Sequence, residues 1–171
     1  MTLPLAVLLV VAIGMAGELW LSKRNERRLL ARGASAPPDP PYRTMRWAYP
    51  LVFLAMGGEG VLVGPLPSTL SMAGGAVFAV AKALKYWAVA SLGDRWTFRI
   101  FVLPGAPLVT SGPYRLVRHP NYIAVVGELV GVALLVGARL TGPISVVLFG
   151  WLLWRRIDAE ERALGLRARD R

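Results

Sequence analysis

Cysteine is absent from the 171 residues, and histidine occurs once, as His119. The first absence removes disulfides, thiol nucleophiles and cysteine-held zinc or iron–sulfur centres; the second removes any metal site built on several histidines. Acids are scarce as well, ten against twenty Lys and Arg, for a formal net charge of +10. Chemistry in this chain therefore falls to Arg, Glu, Asp, Tyr and His119, and no metal centre is expected.

Apolar residues are what the chain has in excess. They make up 55% of it, and the mean hydropathy of +0.50 is high for a water-soluble globule. The length fits one domain, residues 1–171. "LPLAVLLVVAIGMAGELWL", Leu3 to Leu21, is long enough to cross a hydrocarbon layer of about 30 Å. Its basic run "KRNERR" follows it, the reverse of a cleaved signal peptide, which predicts a retained helix with the N-terminus outside. Four more apolar segments follow, at 47–64, 70–91, 122–138 and 141–154. The expected fold is all-α integral membrane, with about five transmembrane helices. The last two form a short helical hairpin with Gly137 and Gly142 about its turn.

On that topology every Lys and Arg except Arg139 falls on or beside the inner side, with Lys82 and Lys85 counted at the inner end of the third helix. The positive charge then serves orientation and contact with anionic lipid, and no nucleic-acid partner is expected. Three inner pieces are expected to form a cytosolic cap of loops and C-terminal helix. "SKRNERRLLARGASAPPDPPYRTMR" begins as a helical extension and breaks at "PPDPP". In the second inner segment, "RIFVL" and "PLVTSG" flank "PGA" and read as a short extended hairpin. "RRIDAEERALGLRARDR" continues the last helix as a charged amphipathic stretch.

Smaller signals lie within the apolar segments. The tryptophans at 20, 47, 87, 96, 151 and 154 read as interface anchors, and "GG" at 74 and 75 as a close-packing site. Of three intramembrane acids, Glu59 reads as a carboxyl bonded to a neighbouring helix. Glu18 and Glu128 read equally as structural partners or as lining of an acceptor tunnel.

The densest polar cluster is "TSGPYRLVRHPNY", 110–122. Pro120 suits the first turn of a helix, so the fourth helix should begin at "HPNY". Its unpaired N–H groups and dipole, with Arg115 and Arg118, favour a negatively charged ligand group there; headgroup anchoring is the alternative. In "RRIDAEERALG", Arg156 and Glu160 share a helix face at i, i+4, with Glu161 about 100° away. Such a pair is often only a solvated salt bridge. Here it stands where the fifth helix emerges, beside the start of the fourth.

These runs, "GPYRLVRHPNY" and then "RRIDAEE" after two short apolar helices, resemble the isoprenylcysteine carboxyl methyltransferase (ICMT) family, whose pattern is Arg-His-Pro-x-Tyr, a helical hairpin, and Arg-x-x-x-Glu-Glu. Upstream, "ELWLSKRNERRLLARGA" and "LKYWAVASLGDRWTFRIFVLPGAPLVTSGPYR" are similar to the small bacterial members associated with type III polyketide synthases. The resemblance implies methyl transfer from S-adenosyl-L-methionine to a lipophilic small-molecule acceptor in the bilayer. The cofactor would lie in a cytosol-facing pocket within approximately 92–171. Tyr114, Arg118, His119, Pro120, Tyr122 and Glu161 would shape the cofactor site, and Arg156 and Glu160 would act on the acceptor. The acceptor is an isoprenylcysteine-type carboxylate or the hydroxyl of a long-chain alkylpyrone or alkylresorcinol, with a phospholipid amine as the alternative. Two other readings stand beside it: an NADPH-dependent sterol-type reductase with a similar hairpin, and a non-catalytic membrane scaffold.

Overall fold

Proline and glycine set the element boundaries in the computed structural model, which describes residues 2–166. Five α-helices run in chain order: α1 Thr2–Ala31, α2 Pro40–Val63, α3 Ser68–Leu92, α4 Pro120–Val136 and α5 Thr141–Ala163. Single 3-10 turns follow α3 at Gly93–Arg95 and precede α4 at Gly112–Arg115. No strand is present among the described residues. α2 starts earlier than its apolar segment because Pro40 and Pro41 occupy its first turn, where a missing N–H costs nothing. α4 opens at Pro120 with His119 as its N-cap, as "HPNY" predicts, and closes at Gly137, whose φ of 81° is left-handed.

α1 and α3 are long and apolar enough to cross a bilayer, over Leu3–Ala31 and Ser68–Arg95; α4 is apolar but shorter. The helices alternate in direction. The C-terminal ends of α1, α3 and α5 gather with the N-terminal ends of α2 and α4, and Arg139 lies at the opposite end. There Glu59 of α2 accepts hydrogen bonds from Leu140 N at 2.8 Å and Thr141 N at 2.7 Å, so this acid caps α5 across the hairpin turn.

α4 is the central helix. Val125, Leu129, Val132 and Val136 are buried against Val7 and Val11 of α1, Phe53 and Met56 of α2, and Phe149 and Leu153 of α5. α3 packs closest to it, and small residues make this possible. A Cβ on Gly131 would lie 2.6 Å from Phe78 N, and one on Gly74 would lie 2.6 Å from Leu135 N, which bears out close packing at Gly74. The outward faces are apolar: Ile13, Leu54, Val80 and Val147 are all exposed. A belt of this kind is what hydrocarbon solvates.

Three buried charges, Glu18, Lys85 and Glu128, and a half-buried fourth, Lys82, meet inside that belt. Lys85 Nζ lies 2.7 Å from Glu18 Oε2 and 3.2 Å from Glu128 Oε1; Lys82 Nζ lies 3.0 Å from Glu18 Oε1 and 3.3 Å from Glu128 Oε2. Tyr49 adds its hydroxyl to Glu128 Oε2 at 2.7 Å. The two lysines are thus partners of the two acids within the bundle, and not free positive charges at an inner helix end. Two positive and two negative charges cancel, which is the condition for burying them.

Other expectations are corrected. "RIFVL" and "PLVTSG" do not pair with each other. Gly105 does turn the chain, but Val102 instead forms an isolated antiparallel bridge with Ser35, with both N–H···O bonds at 2.9 Å. Five of the six tryptophans are exposed as anchors should be, whereas Trp96 is buried. α5 does not continue through Leu164, Gly165 and Leu166. It stops at Ala163, and Leu166 N returns to Glu161 O at 2.8 Å; the rest of "LGLRARDR", 167–171, lies outside the described residues.

Candidate active site

The end of the bundle that gathers α1, α3 and α5 with the starts of α2 and α4 holds a cavity of about 690 Å³. Tyr114, Arg118, His119, Tyr122, Arg156 and Glu160 all line it. Two of the expected residues stand behind the wall. Pro120 is buried in the first turn of α4, and Glu161 meets His119 Nε2 at 3.2 Å and Arg118 Nη1 at 3.8 Å.

One hydrogen-bonded relay joins α4 to α5. Tyr122 donates its hydroxyl hydrogen to Glu160 Oε2 at 2.5 Å and accepts from Arg156 Nε at 2.9 Å. The His119 and Tyr122 rings stack at 5.4 Å with 14° between their planes, and His119 Nδ1 stands 4.0 Å from Glu160 Oε2. The local sequence dictates this grouping. Tyr122 lies in the first turn of α4, Arg156 and Glu160 are one turn apart on α5, and the short hairpin sets the two helices side by side.

Arg156 is held more fully than its sequence position suggests. Besides Tyr122, its Nη2 donates to the Phe98 carbonyl, its Nη1 lies 3.4 Å from Asp39 Oδ2, and its guanidinium sits over the Tyr42 ring. All three nitrogens therefore have protein partners, and the residue is buried. Glu160 is the more open of the pair, its side chain 30% exposed. Tyr114, in the turn before α4, has its hydroxyl pushed above its ordinary pKa by burial and then by the Glu160 charge, so it is a neutral phenol at the cavity wall.

The cavity also reaches inward. From Tyr42 to Tyr49 on α2, and from Arg156 to Phe149 on α5, its lining spans two helical turns, about 10 Å. The middle is apolar, with Met45, Val125, Phe149 and Leu153; the deep end carries Tyr49, Lys85 and Glu18 from the buried charge cluster. Of the two acids held open as tunnel lining, Glu18 reaches the cavity wall. Glu128 is paired behind it.

Its remaining wall is the chain between α3 and α4, strapped down by α1. Asn25 Nδ2 donates to Trp96 O at 2.8 Å and Gly93 O at 3.2 Å, and Ser22 Oγ accepts from Phe98 N at 2.8 Å. Sequence reading missed Asp39, Asn25, Ser22 and Asn121. Asp39 alone carried a local signal, as an Asp placed directly before Pro-Pro at a helix start. Asn121 also lines the cavity, and its Oδ1 is buried without a partner.

The uncharacterized protein YpbQ of Bacillus subtilis (strain 168) is 32% identical over 155 residues, covering 91% of this chain and 92% of its own. An uncharacterized protein of Haemophilus influenzae (strain ATCC 51907 / DSM 11121 / KW20 / Rd) is 28% identical over 148 residues, 86% of each chain. No solved structure matches. The model of the isoprenylcysteine carboxyl methyltransferase (ICMT) family matches residues 73–165, the stretch that supplies most of α3, the part of the cavity wall between α3 and α4, and the Tyr122–Glu160–Arg156 relay. The chain belongs to the isoprenylcysteine carboxyl methyltransferase (ICMT) family.

Proposed function

We propose that this protein is an integral-membrane O-methyltransferase that uses S-adenosyl-L-methionine to methylate a lipophilic acceptor. The family is membrane-embedded, and its members take their methyl group from that cofactor. The observation that carries the reading is the Tyr122–Glu160–Arg156 relay, set in a cavity that is polar at the bundle's end and apolar further in.

The residues present fit the cofactor. A volume of about 690 Å³ lies within the usual range for cofactor sites. Glu160 and the stacked His119 and Tyr122 rings suit a cation, and Asn121 Oδ1 is a buried acceptor still without a donor. Tyr114, Arg118, His119, Asn121 and Tyr122 would hold it, with Pro120 and Glu161 setting the backbone and the imidazole behind them. When bound, it supplies an electrophilic methyl group for in-line displacement.

The protein's own task is alignment, exclusion of water and handling of one proton. For a hydroxyl acceptor, Glu160 takes the O–H proton as the oxygen bonds to carbon. Tyr122 fixes the Glu160 carboxylate, and Arg156 fixes Tyr122. For a carboxylate acceptor no proton is released, and the Arg156 charge offsets that of the anion. The acceptor's apolar tail lies along Met45, Val125 and Leu153 and leaves between helices. We assign it to an isoprenylcysteine-type carboxylate or to a long-chain alkylpyrone or alkylresorcinol hydroxyl.

The same reading sets all five helices across the bilayer, N-terminus outside and relay facing the cytoplasm. The alternating helix directions support this, since the basic ends of α1 and α5 share one end of the bundle with the cavity. A chain without cysteine makes the sidedness simple to test by single introduced cysteines and an impermeant thiol reagent.

The decisive experiment is radiolabelled methyl transfer from S-adenosyl-L-methionine by purified protein in detergent, offered pentadecylresorcinol, N-acetyl-farnesylcysteine and lipid extract, beside Glu160→Ala. Label in a lipid that vanishes with the variant establishes the reaction, and label in a phospholipid amine moves the acceptor to the N-methyl class. Failure of the protein to bind the cofactor would overturn the reading.

A further inference from the structure

Asp39 lies in the first inner loop, at the centre of "PPDPP", outside the 73–165 stretch that the family model covers. Its side chain is only 4% exposed, and both oxygens are engaged. Oδ1 accepts from Tyr42 N at 3.1 Å and caps the first turn of α2. Oδ2 accepts from Ile100 N at 3.3 Å and stands 3.4 Å from Arg156 Nη1. Three separate stretches therefore meet on one carboxylate: the head of α2, the chain between α3 and α4, and α5.

A helix cap needs one acceptor oxygen and no charge, and Asn or Ser serves as well as Asp. The second oxygen is what demands an acid, because it faces a guanidinium whose side chain is 7% exposed. A buried cation without a counter-charge is costly and seeks the nearest carboxylate. Glu160 lies one turn away on the same helix face, so an Arg156 released from Asp39 would turn directly to it and displace Tyr122 from between them.

We propose that Asp39 is a positioning residue of the active site: its charge holds Arg156 in the orientation in which Nε fixes Tyr122, and through Tyr122 fixes Glu160. This rests on the methyltransferase reading for its kinetic consequence and on geometry alone for its placement. It also gives Arg156 a defined task, as the link between Asp39 and Tyr122.

The test uses the full-length protein in detergent with Asp39→Asn and Asp39→Ser, which each retain a cap and remove the charge. Both variants are expected to fold, with a lowered thermal midpoint and weaker binding of S-adenosyl-L-methionine, because the buried Arg156 loses its counter-charge and Tyr122 leaves its place in the cavity wall. kcat should fall about tenfold to a hundredfold with little change in the acceptor KM, the signature of lost alignment. Asp39→Glu should restore part of kcat.

Two readouts do not depend on turnover. Hydrogen exchange across 98–100 should rise in Asp39→Asn, and Arg156 should become open to modification by phenylglyoxal. If kcat, exchange and arginine modification all match the unaltered protein, Asp39 is only a cap and the proposal is overturned. Loss of folding in both capped variants would overturn it as well, since the charge would then hold the fold and not the site. Absence of methyl transfer by the unaltered protein would instead sink the functional reading, while exchange and arginine modification would still decide the placement of Asp39.

Discussion

Tyr122 Oη and Glu160 Oε2 stand 2.5 Å apart, joining the first turn of α4 to the emerging end of α5 across 38 residues of chain. The contact is short because the acceptor is a carboxylate, and it is ordered because Arg156 Nε holds the same hydroxyl from the other side at 2.9 Å.

Removing that hydroxyl tests the relay directly. Tyr122→Phe keeps the ring that stacks on His119 and deletes both hydrogen bonds. Methyl transfer is expected to drop about tenfold to a hundredfold through lost alignment, with retained binding of S-adenosyl-L-methionine. The check is kcat set against the cofactor Kd; an unchanged kcat would mean that Glu160 is oriented by other groups.

The buried charge cluster predicts a non-additive pair. Lys85→Met leaves Glu18 and Glu128 with one cation between them and should cost about 3–5 kcal/mol, as breaking a buried ion pair does. Adding Glu18→Gln restores neutrality and should recover much of that loss. Thermal unfolding in detergent of both singles and the double measures it, and strictly additive losses would contradict mutual pairing.

Close packing of α3 on α4 predicts a steric failure. A side chain at Gly131 would drive its Cβ to 2.6 Å from Phe78 N, backbone that cannot step aside. Gly131→Val is expected to reduce the yield of folded protein sharply, whereas Gly150→Ala, with nothing within 4 Å of a Cβ, should be tolerated. Gel-filtration recovery of the two variants decides the point.

Tyr114 supplies a pH signature. Its proton is held more tightly in the fold, by burial and then by Glu160, than in the unfolded chain. A group with its pKa raised on folding adds stability that is complete below the unfolded value, about 10 for Tyr, and is lost as pH rises through the folded one. Tyr114→Phe should therefore unfold at a higher alkaline midpoint relative to its neutral-pH stability than the unaltered protein does. Equal alkaline sensitivity would show that the phenol is not so held.

The helices were legible because their signals are local. Apolar runs marked all five, Pro120 and Pro40 stand within first turns, and Gly137 ends α4 in the left-handed region. The relay was legible for the same reason: Arg156 and Glu160 are one turn apart, and a loop of only four residues, Gly137 to Leu140, brings α5 back against α4. Signals failed where a partner lies far along the chain. Val102 pairs with Ser35 and not with its neighbouring segment, Lys85 with Glu18, Asp39 with Arg156, and Asn25 with Trp96. Lys82 and Lys85 misled for a definite physical reason, since a basic residue near a helix end reads as a surface charge until the acids opposite it are known.

Asn25 and Ser22 sit deep in α1, more than forty residues before the family-matched stretch begins, yet they carry the backbone of Gly93, Trp96 and Phe98. The signature is consequently not a portable module. A fragment cut to residues 73–165 would keep every motif residue on α4 and α5 and lose the strap that places the Phe98 carbonyl against Arg156. In a chain made from its N-terminus onward, the reactive end can assemble only after α1 is already in place.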